Sequence, residues 1–223
     1  MTIVARIRTD FPTKFGIPRQ SGMVEGLRGR IVFEPEYRNA EALRGLEGFS
    51  HLWLIWDFSE AHREGWNPTV RPPRLGGNQR IGVWATRSPF RPNPIGLSSV
   101  RIAAIHLSTP EGPVIEVEGA DLMDGTPILD IKPYLPYTDA HPDAKGGFAQ
   151  AQHEEREILT VDIPQEMADR LPKEKMEALR QVLAADPRPR YQDDPNRIYG
   201  FIFAGREVHF RVENGKLTVA DIK

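Results

Sequence analysis

Short apolar runs, separated by turns that contain glycine or proline, fill most of the first 135 residues and leave little room for helix. Several of these runs alternate apolar and polar residues, the period of two that is typical of a strand with one buried face. The predicted strands are residues 3–8, 29–33, 49–58, 81–86, 97–107, 114–119 and 128–132. Many short strands at close spacing are typical of a β-barrel or a β-sandwich. This part of the chain is therefore predicted to be mainly β.

Two segments depart from simple alternation. The run 49–58 (FSHLWLIWDF) is too apolar for a strand with one wet face, so we expect it to be central in its sheet. Residues 39–46 are predicted to form a short helix, because Asn39 is a favourable N-cap and Gly48 can end the helix.

The composition changes beyond residue 137. Residues 138–152 are polar and indicate a linker or a long loop. A strand is predicted at 158–163 and an amphipathic helix at 172–185; three strands follow, the last two joined through Asn214-Gly215, a strong hairpin signal. The apolar face of the helix is predicted to consist of Met176, Leu179, Val182 and Leu183. We therefore predict three units: a β domain at 1–140, a linker at 141–157 and a small α+β domain at 158–223.

The composition excludes several classes of protein. No apolar run approaches the roughly 20 residues that span a bilayer. The absence of cysteine excludes disulfides, thiolate metal sites and cysteine nucleophiles. Residues 1–10 lack the features of a signal peptide, so we expect a cytoplasmic protein, although a cysteine-free chain would also suit export. Neither a G-x-G-x-x-G nor a P-loop motif is present, so a doubly wound SAM or NAD domain is not expected.

One cluster has the spacing of a metal site. Asp139, His141 and Asp143 lie at alternate positions in a polar segment and could converge on a cation. Solvated side chains in a loop need no such partner, and this interpretation is favoured. We predict no metal.

Arginines are concentrated in one stretch, although the net charge of −2 gives no general attraction to nucleic acid. Between Trp66 and Arg101 there are six arginines and no Asp, Glu or Lys. Arginine suits forked contacts with phosphate or carboxylate. The alternative is that these arginines pair with acids elsewhere in the chain, which has 31 acidic residues.

Within this stretch, residues 71–96 are stiff and largely irregular. Prolines at 72, 73, 89, 92 and 94 restrict the backbone and remove hydrogen-bond donors. A rigid loop that carries arginines can hold a ligand at little ordering cost, which favours a binding role. The alternative is a proline-rich loop that packs for structural reasons.

Two further polar loops are weaker signals. In residues 121–127 (DLMDGTP), Asp124-Gly125 indicates a tight turn, and alone it indicates only that. Such a turn can also present a carboxylate and backbone groups to an amine or a ribose. The segment Ile17-Pro-Arg-Gln-Ser21 is rigidified by its proline and presents an arginine and an amide.

Together these stretches resemble the TsaA/TrmO family of bacterial tRNA methyltransferases. The matching segments are GIPRQSG (16–22), LRGLEGFSHLWLIW (43–56), WNPTVRPPRLGG (66–77), GVWATRSPFRPNPIG (82–96), DLMDGTPILDIKPYLPY (121–137) and LAADPRPRY (183–191). The resemblance implies methyl transfer from S-adenosylmethionine (SAM) to N6 of threonylcarbamoyladenosine, at position 37 of threonine tRNA. It also implies a single-sheet β-barrel, a homodimer with SAM near the subunit interface, and a small C-terminal domain that contacts the tRNA.

The resemblance also implies which residues bind and react. The SAM contacts would be Pro18, Arg19, Gln20, Ser59, Glu60, Arg87, Leu97, Asp124, Gly125, Thr126 and Pro127. After attack the adenine N6 must lose a proton. The acceptor candidates are Asp130, Tyr134 and Tyr137, each of which could instead be structural.

Contacts with the tRNA are predicted from arginines and aromatic residues. The RNA-binding arginines would be Arg71, Arg74, Arg91, Arg188, Arg190 and Arg197. Trp66, Trp84 and Phe90 are stacking candidates, although large aromatic residues more often pack in a core. Two alternatives stay open: a non-catalytic module that senses SAM or an adenine nucleotide, and a methyltransferase that acts on another RNA or on a small amine.

Overall fold

The computed structural model describes residues 1–72, 79–150, 158–188 and 194–223. Its strands are β1 (Ala5–Arg8), β2 (Arg28–Phe33), β3 (His51–Asp57), β4 (Thr69–Val70), β5 (Ile81–Gly82), β6 (Ile95–His106), β7 (Val114–Glu118), β8 (Pro127–Pro133), β9 (Thr160–Asp162), β10 (Tyr199–Phe203), β11 (Arg206–Glu213) and β12 (Lys216–Ile222). The described helices are Pro136–Asp139, Gln165–Ala168 and Lys173–Ala184, with short 3₁₀ turns between several strands. No helix within these ranges is long and apolar enough to cross a bilayer.

Six strands close into one barrel in the order β1-β2-β7-β6-β3-β8, with β8 pairing back to β1. All neighbouring strands in the barrel are antiparallel. In β3 alternate residues point inward, so Leu52, Leu54 and Trp56 are buried while the residues between them are half-buried. The predicted single-sheet barrel is therefore confirmed. Because the sheet is closed, β3 is paired on both sides, with β6 and β8, as every strand of the barrel is with its two neighbours.

Local geometry corrects two predictions. The strand predicted at 81–86 ends after Gly82, because the Thr86 hydroxyl donates to Val83 O at 2.9 Å and closes a 3₁₀ turn over Val83–Ala85. The continuous helix predicted at 39–46 is also wrong. Asn39 does cap a turn, since its side chain accepts from Glu41 N at 3.0 Å. Gly45 at φ +87° then breaks the helical path before a second 3₁₀ turn.

The C-terminal residues form a second sheet in the order β10-β11-β12-β9, in which β9 is parallel to β12. The helix Lys173–Ala184 buries the four residues predicted for its apolar face, Met176, Leu179, Val182 and Leu183. Asn214 (φ +49°) and Gly215 (φ +73°) both adopt positive φ between β11 and β12, as the predicted hairpin requires. These predictions are confirmed.

The second hydrophobic core includes residues from the first part of the chain. Phe11, Val24 and Leu27 are buried in the same cluster as the C-terminal sheet and helix. Ala204 N donates to Asp10 O at 3.0 Å, and Lys175 Nζ lies 2.6 Å from the Asp10 carboxylate. The loop between β1 and β2 therefore belongs to both the barrel and the C-terminal unit. The predicted boundaries at 140 and 158 stay predictions.

Candidate functional site

A cavity of about 670 Å³ opens at one end of the barrel. Trp56 and Asp57 end β3, Ile95 begins β6, and Thr126 precedes β8. Because β3 is antiparallel to both β6 and β8, these residues meet at the same end of the barrel. The loop between β1 and β2 and the segment 86–91 complete the wall. Because that loop also packs on the C-terminal core, the C-terminal unit supports one wall of the cavity.

Most of the predicted SAM contacts converge on this cavity from five separate segments. The lining residues among them are Pro18, Arg19, Gln20, Ser59, Glu60, Arg87, Leu97 and Thr126. Two cross-connections join the segments: Arg87 Nη1 donates a hydrogen bond to Gln20 Oε1, and Lys14 Nζ lies 2.9 Å from the Glu60 carboxylate. The structure thus assembles groups up to 108 positions apart, from Pro18 to Thr126, around one space.

Three predicted SAM contacts, Asp124, Gly125 and Pro127, do not line the cavity. Asp124 N donates to Phe11 O at 2.7 Å and its carboxylate accepts from Thr9 N at 3.0 Å. Gly125, at φ +77°, donates its N–H to Ile7 O at 2.8 Å. These hydrogen bonds tie the turn to β1 and to the residues after it. The turn therefore orients the cavity wall, and Thr126 is the member that reaches the cavity.

The floor of the cavity is a buried hydrogen-bonded chain. Trp56 Nε1 donates to the Ser98 hydroxyl at 3.0 Å, and that hydroxyl donates to Asp121 Oδ1 at 2.6 Å. The Trp56 ring lies directly over Gly96, its partner in the β3–β6 ladder. A side chain at position 96 would displace the ring, so the glycine allows the floor to form.

Asp121 is the electrostatically unusual group of the floor. Burial raises the pKa of its carboxyl, and the hydrogen bond from Ser98 together with the positive charge of Arg87 opposes that rise. The cavity therefore holds a carboxyl that favours its proton more than an exposed aspartate, near a guanidinium. This pairing suits a ligand that carries both hydrogen-bond donors and an anionic group.

The three proton-acceptor candidates lie away from this cavity. Asp130 pairs with Ile55, which points out of the barrel, and its carboxylate is 3.0 Å from Lys132 Nζ. Tyr134 packs against Trp53, with ring centroids 5.5 Å apart. Tyr137 is 86% exposed. None of the three lines the cavity of its own chain.

The predicted RNA-binding arginines are dispersed. Arg91 Nη1 donates to Thr86 O at 2.7 Å, so this arginine holds its own loop together as well as lining the cavity. Arg188 pairs with Asp186 at 2.9 Å, and Arg197 lies over the Tyr199 ring at 5.3 Å. Arg71 is exposed. Arg74 and Arg190 lie outside the described residues.

Sequence reasoning missed Trp56, Ser98 and Asp121 as site residues. Asp121 opens a motif that drew attention only for its later Asp124-Gly125 turn. Ser98 is the more informative signal, since a serine in an otherwise largely apolar strand is a polar group that needs a partner when buried.

The structure also places the candidate metal cluster. The Asp139 carboxylate accepts from Leu135 N at 2.9 Å and from Trp53 Nε1 at 2.8 Å, and these hydrogen bonds lower the pKa of this carboxyl. Across the described ranges, no group of three or more His, Cys, Asp or Glu side chains is arranged to hold a metal ion.

A closed barrel with a polar-floored cavity at one end defines a small-molecule-binding barrel protein, distinct from the doubly wound cofactor domains. Family models match residues 6–140 as the tRNA-methyltransferase O N-terminal domain and residues 156–223 as the TrmO C-terminal domain. The chain therefore belongs to the tRNA-methyltransferase O family, which confirms the resemblance found in its motifs.

Named relatives are similar over nearly the whole chain. A tRNA (adenine(37)-N6)-methyltransferase of Escherichia coli K12 is 40% identical, with 96% of this chain and 93% of that protein covered. A putative S-adenosylmethionine-dependent methyltransferase of Pseudomonas aeruginosa is 42% identical, with 93% and 90% covered. The crystal structure of TrmO from P. aeruginosa superposes with a TM-score of 0.77 at 35% identity, covering 100% of this chain and 96% of the other.

Proposed function

We propose that this protein is a SAM-dependent methyltransferase that methylates N6 of adenosine 37 in tRNA. We further propose that the substrate base is threonylcarbamoyladenosine in threonine tRNA and that the enzyme is a cytoplasmic homodimer. The observation that carries the proposal is the convergence of the motif residues on one cavity, in a chain whose relatives include tRNA (adenine(37)-N6)-methyltransferases.

The residues of the cavity fit SAM. A volume of about 670 Å³ lies within the range of cofactor sites. SAM combines an adenine, a ribose, a sulfonium and an amino acid group. Arg87 is suited to its carboxylate, and the carboxyl of Asp121 can accept from its ammonium or hydroxyl donors. Trp56 and Phe58, whose ring centroids are 4.1 Å apart, give the cavity an apolar wall for the adenine.

When bound, SAM supplies an electrophilic methyl group, and displacement at a methyl needs alignment more than acid–base chemistry. This chain's part is to hold the cofactor and the target base in line. The stiff segment 86–91 suits that task, because Thr86 and Arg91 close it with hydrogen bonds to Val83 O and Thr86 O.

The proton from N6 requires an acceptor, and the proposed candidates lie off the cavity of their own chain. Asp130, Tyr134 and Tyr137 can act only if the partner subunit of a homodimer receives them at its own cavity. Mixing an Arg87→Ala protein with an Asp130→Asn protein tests this arrangement. Each variant alone is expected to be inactive, whereas the mixed dimer should regain part of the activity, because one of its cavities has both Arg87 and the partner subunit's Asp130. If the mixture stays inactive after subunit exchange, Asp130 is not the acceptor.

Methyl transfer is tested directly. Purified protein is incubated with methyl-labelled SAM and with tRNA that either carries or lacks the threonylcarbamoyl group, and the nucleosides are then analysed by mass spectrometry. Label is expected at N6 of adenosine 37 of the threonylcarbamoylated tRNA alone. Label in both tRNAs would broaden the substrate. SAM binding without any transfer would identify a non-catalytic SAM sensor instead.

Arg87 provides the sharpest residue test. Arg87→Ala is expected to weaken SAM binding about ten- to hundredfold, because a hydrogen bond to a charged group contributes about 1.5–3 kcal/mol. Arg44→Ala is the matched control, since Arg44 is an exposed arginine that pairs with Glu41 and does not line the cavity. Isothermal titration of SAM into both variants measures the difference. Equal affinities would remove Arg87 from the site.

A further inference from the structure

An exposed aromatic surface extends outward from the cavity. It consists of Phe90, Trp84 and Trp66, which are 43%, 65% and 49% exposed. Large aromatic side chains are usually buried. Three exposed rings that contact one another or arginines therefore indicate a surface that binds a partner. We refer to these three residues as the aromatic ribbon.

The ribbon is continuous with the cavity. Phe90 and Arg91 both line the cavity. The Arg91 guanidinium lies 5.2 Å from the centre of the Trp84 ring, and the Trp84 and Trp66 rings are 5.6 Å apart between centroids. A polymer that places one residue in the cavity would therefore bring its neighbouring residues onto the ribbon.

The ribbon is held in place by backbone pairing. Trp66 and Trp84 lie on segments that pair through β4 and β5, and Val83 N donates to Pro68 O at 2.9 Å. Arg91 adds two hydrogen bonds, to Val83 O at 3.3 Å and to Thr86 O at 2.7 Å. The rings are therefore presented on a preorganised support, which lowers the ordering cost of binding.

The charge around the ribbon favours a polyanion. Residues 66–101 contain arginines as their only charged residues. Arg63 lies over the Phe90 ring at 4.4 Å, so arginine flanks the ribbon on that side as well. Flat exposed rings interleaved with guanidinium groups are the combination that binds single-stranded nucleic acid, by stacking on bases and by attraction to phosphates.

We infer that the aromatic ribbon is the docking surface for the unpaired nucleobases that flank the target adenosine. The inference rests on the proposed function, because it takes the cavity as the place where the target base reacts. Trp84, the most exposed ring of the three, is the principal stacking platform, and Trp66 supports it.

The test compares Trp84→Leu with Trp84→Phe in the full-length protein. Leucine keeps an apolar side chain but removes the ring, whereas phenylalanine keeps a stacking face. The affinity for an anticodon stem-loop RNA is expected to fall about tenfold or more in Trp84→Leu, which corresponds to about 1.4 kcal/mol. Trp84→Phe should recover most of it. Leu107→Ala is the control, because Leu107 is 57% exposed beyond the opposite end of β6.

SAM titration, light scattering and the methyl-transfer assay distinguish RNA from other possible partners of the aromatic ribbon. Titration of SAM should give the same affinity in all variants, and light scattering should give the same mass. An unchanged RNA affinity in Trp84→Leu overturns the inference. A changed mass overturns it too, because the ribbon would then be a contact between copies of this chain. If the wild-type protein binds the RNA through Trp84 but transfers no methyl group, the proposed function fails while the ribbon stands.

Discussion

Substitution of Gly96 by alanine tests whether the Trp56 ring forms the floor of the cavity. A Cβ atom at position 96 would lie 2.2, 2.4 and 2.5 Å from three ring atoms of Trp56. Real Cβ contacts are far longer, and position 96 is inside β6, so the backbone cannot move away easily. The ring must shift, and the hydrogen bond from Trp56 Nε1 to Ser98 must lengthen or break.

The magnitude follows from three contributions. Overpacking in a well-packed core costs about 1–3 kcal/mol. Loss of a buried hydrogen bond adds about 0.5–1.5 kcal/mol. The reduced entropy of the unfolded chain when alanine replaces glycine offsets about 0.4–1 kcal/mol. The free energy of unfolding of Gly96→Ala is therefore expected to fall by about 2–3 kcal/mol, and SAM affinity should fall with it, because Trp56 lines the cavity.

Urea denaturation measures the loss, and Gly82→Ala is the matched control. Gly82 also lies in a strand, and its added Cβ would meet no atom within 4 Å. A double-mutant cycle with Trp56→Leu isolates the clash: in that background Gly96→Ala should cost little, which gives a coupling energy of about 1–3 kcal/mol. If Gly96→Ala is as stable as Gly82→Ala, or if the cycle shows no coupling, the assignment of Trp56 as the floor is wrong.

Two other variants test the floor and the support of the cavity. Because burial raises the pKa of Asp121, the folded chain holds this proton to higher pH than the unfolded chain does. We compare the free energy of unfolding of the wild type with that of Asp121→Asn at each pH. The stability of the wild type relative to the variant should decline as pH rises from the ordinary carboxyl range through the raised pKa of Asp121, and should then level off. Urea denaturation from about pH 4 to about pH 8 measures this difference, and a flat or rising difference would contradict the burial of Asp121. Gly16→Ala should destabilise the protein by about 2–3 kcal/mol, because Gly16 has φ +95° and its Cβ would lie 2.5 Å from the Phe201 ring. Gly48→Ala is the control, because a Cβ at position 48 would meet no atom within 4 Å. Equal urea midpoints for the two variants would show that the loop between β1 and β2 does not pack on β10.

The sequence by itself determined what depends on local spacing. The apolar face of the helix Lys173–Ala184 and the turn at Asn214-Gly215 each follow from residues a few positions apart. The long contiguous motifs also identified the family, because a motif match depends only on the order of residues in the chain.

Only the tertiary structure decided how those elements meet. The Trp56–Ser98–Asp121 chain spans 65 positions. Its first hydrogen bond depends on the pairing of β3 with β6, and its second depends on the pairing of β6 with β7, which Asp121 follows. Similarly, Phe11 is predictable as a buried residue, but its place in the C-terminal core depends on contacts nearly 200 positions away, with Phe201 and Phe203. Local patterns carry no information on which distant partners will fill a cavity or satisfy a buried hydroxyl, because packing and hydrogen bonding are settled through space.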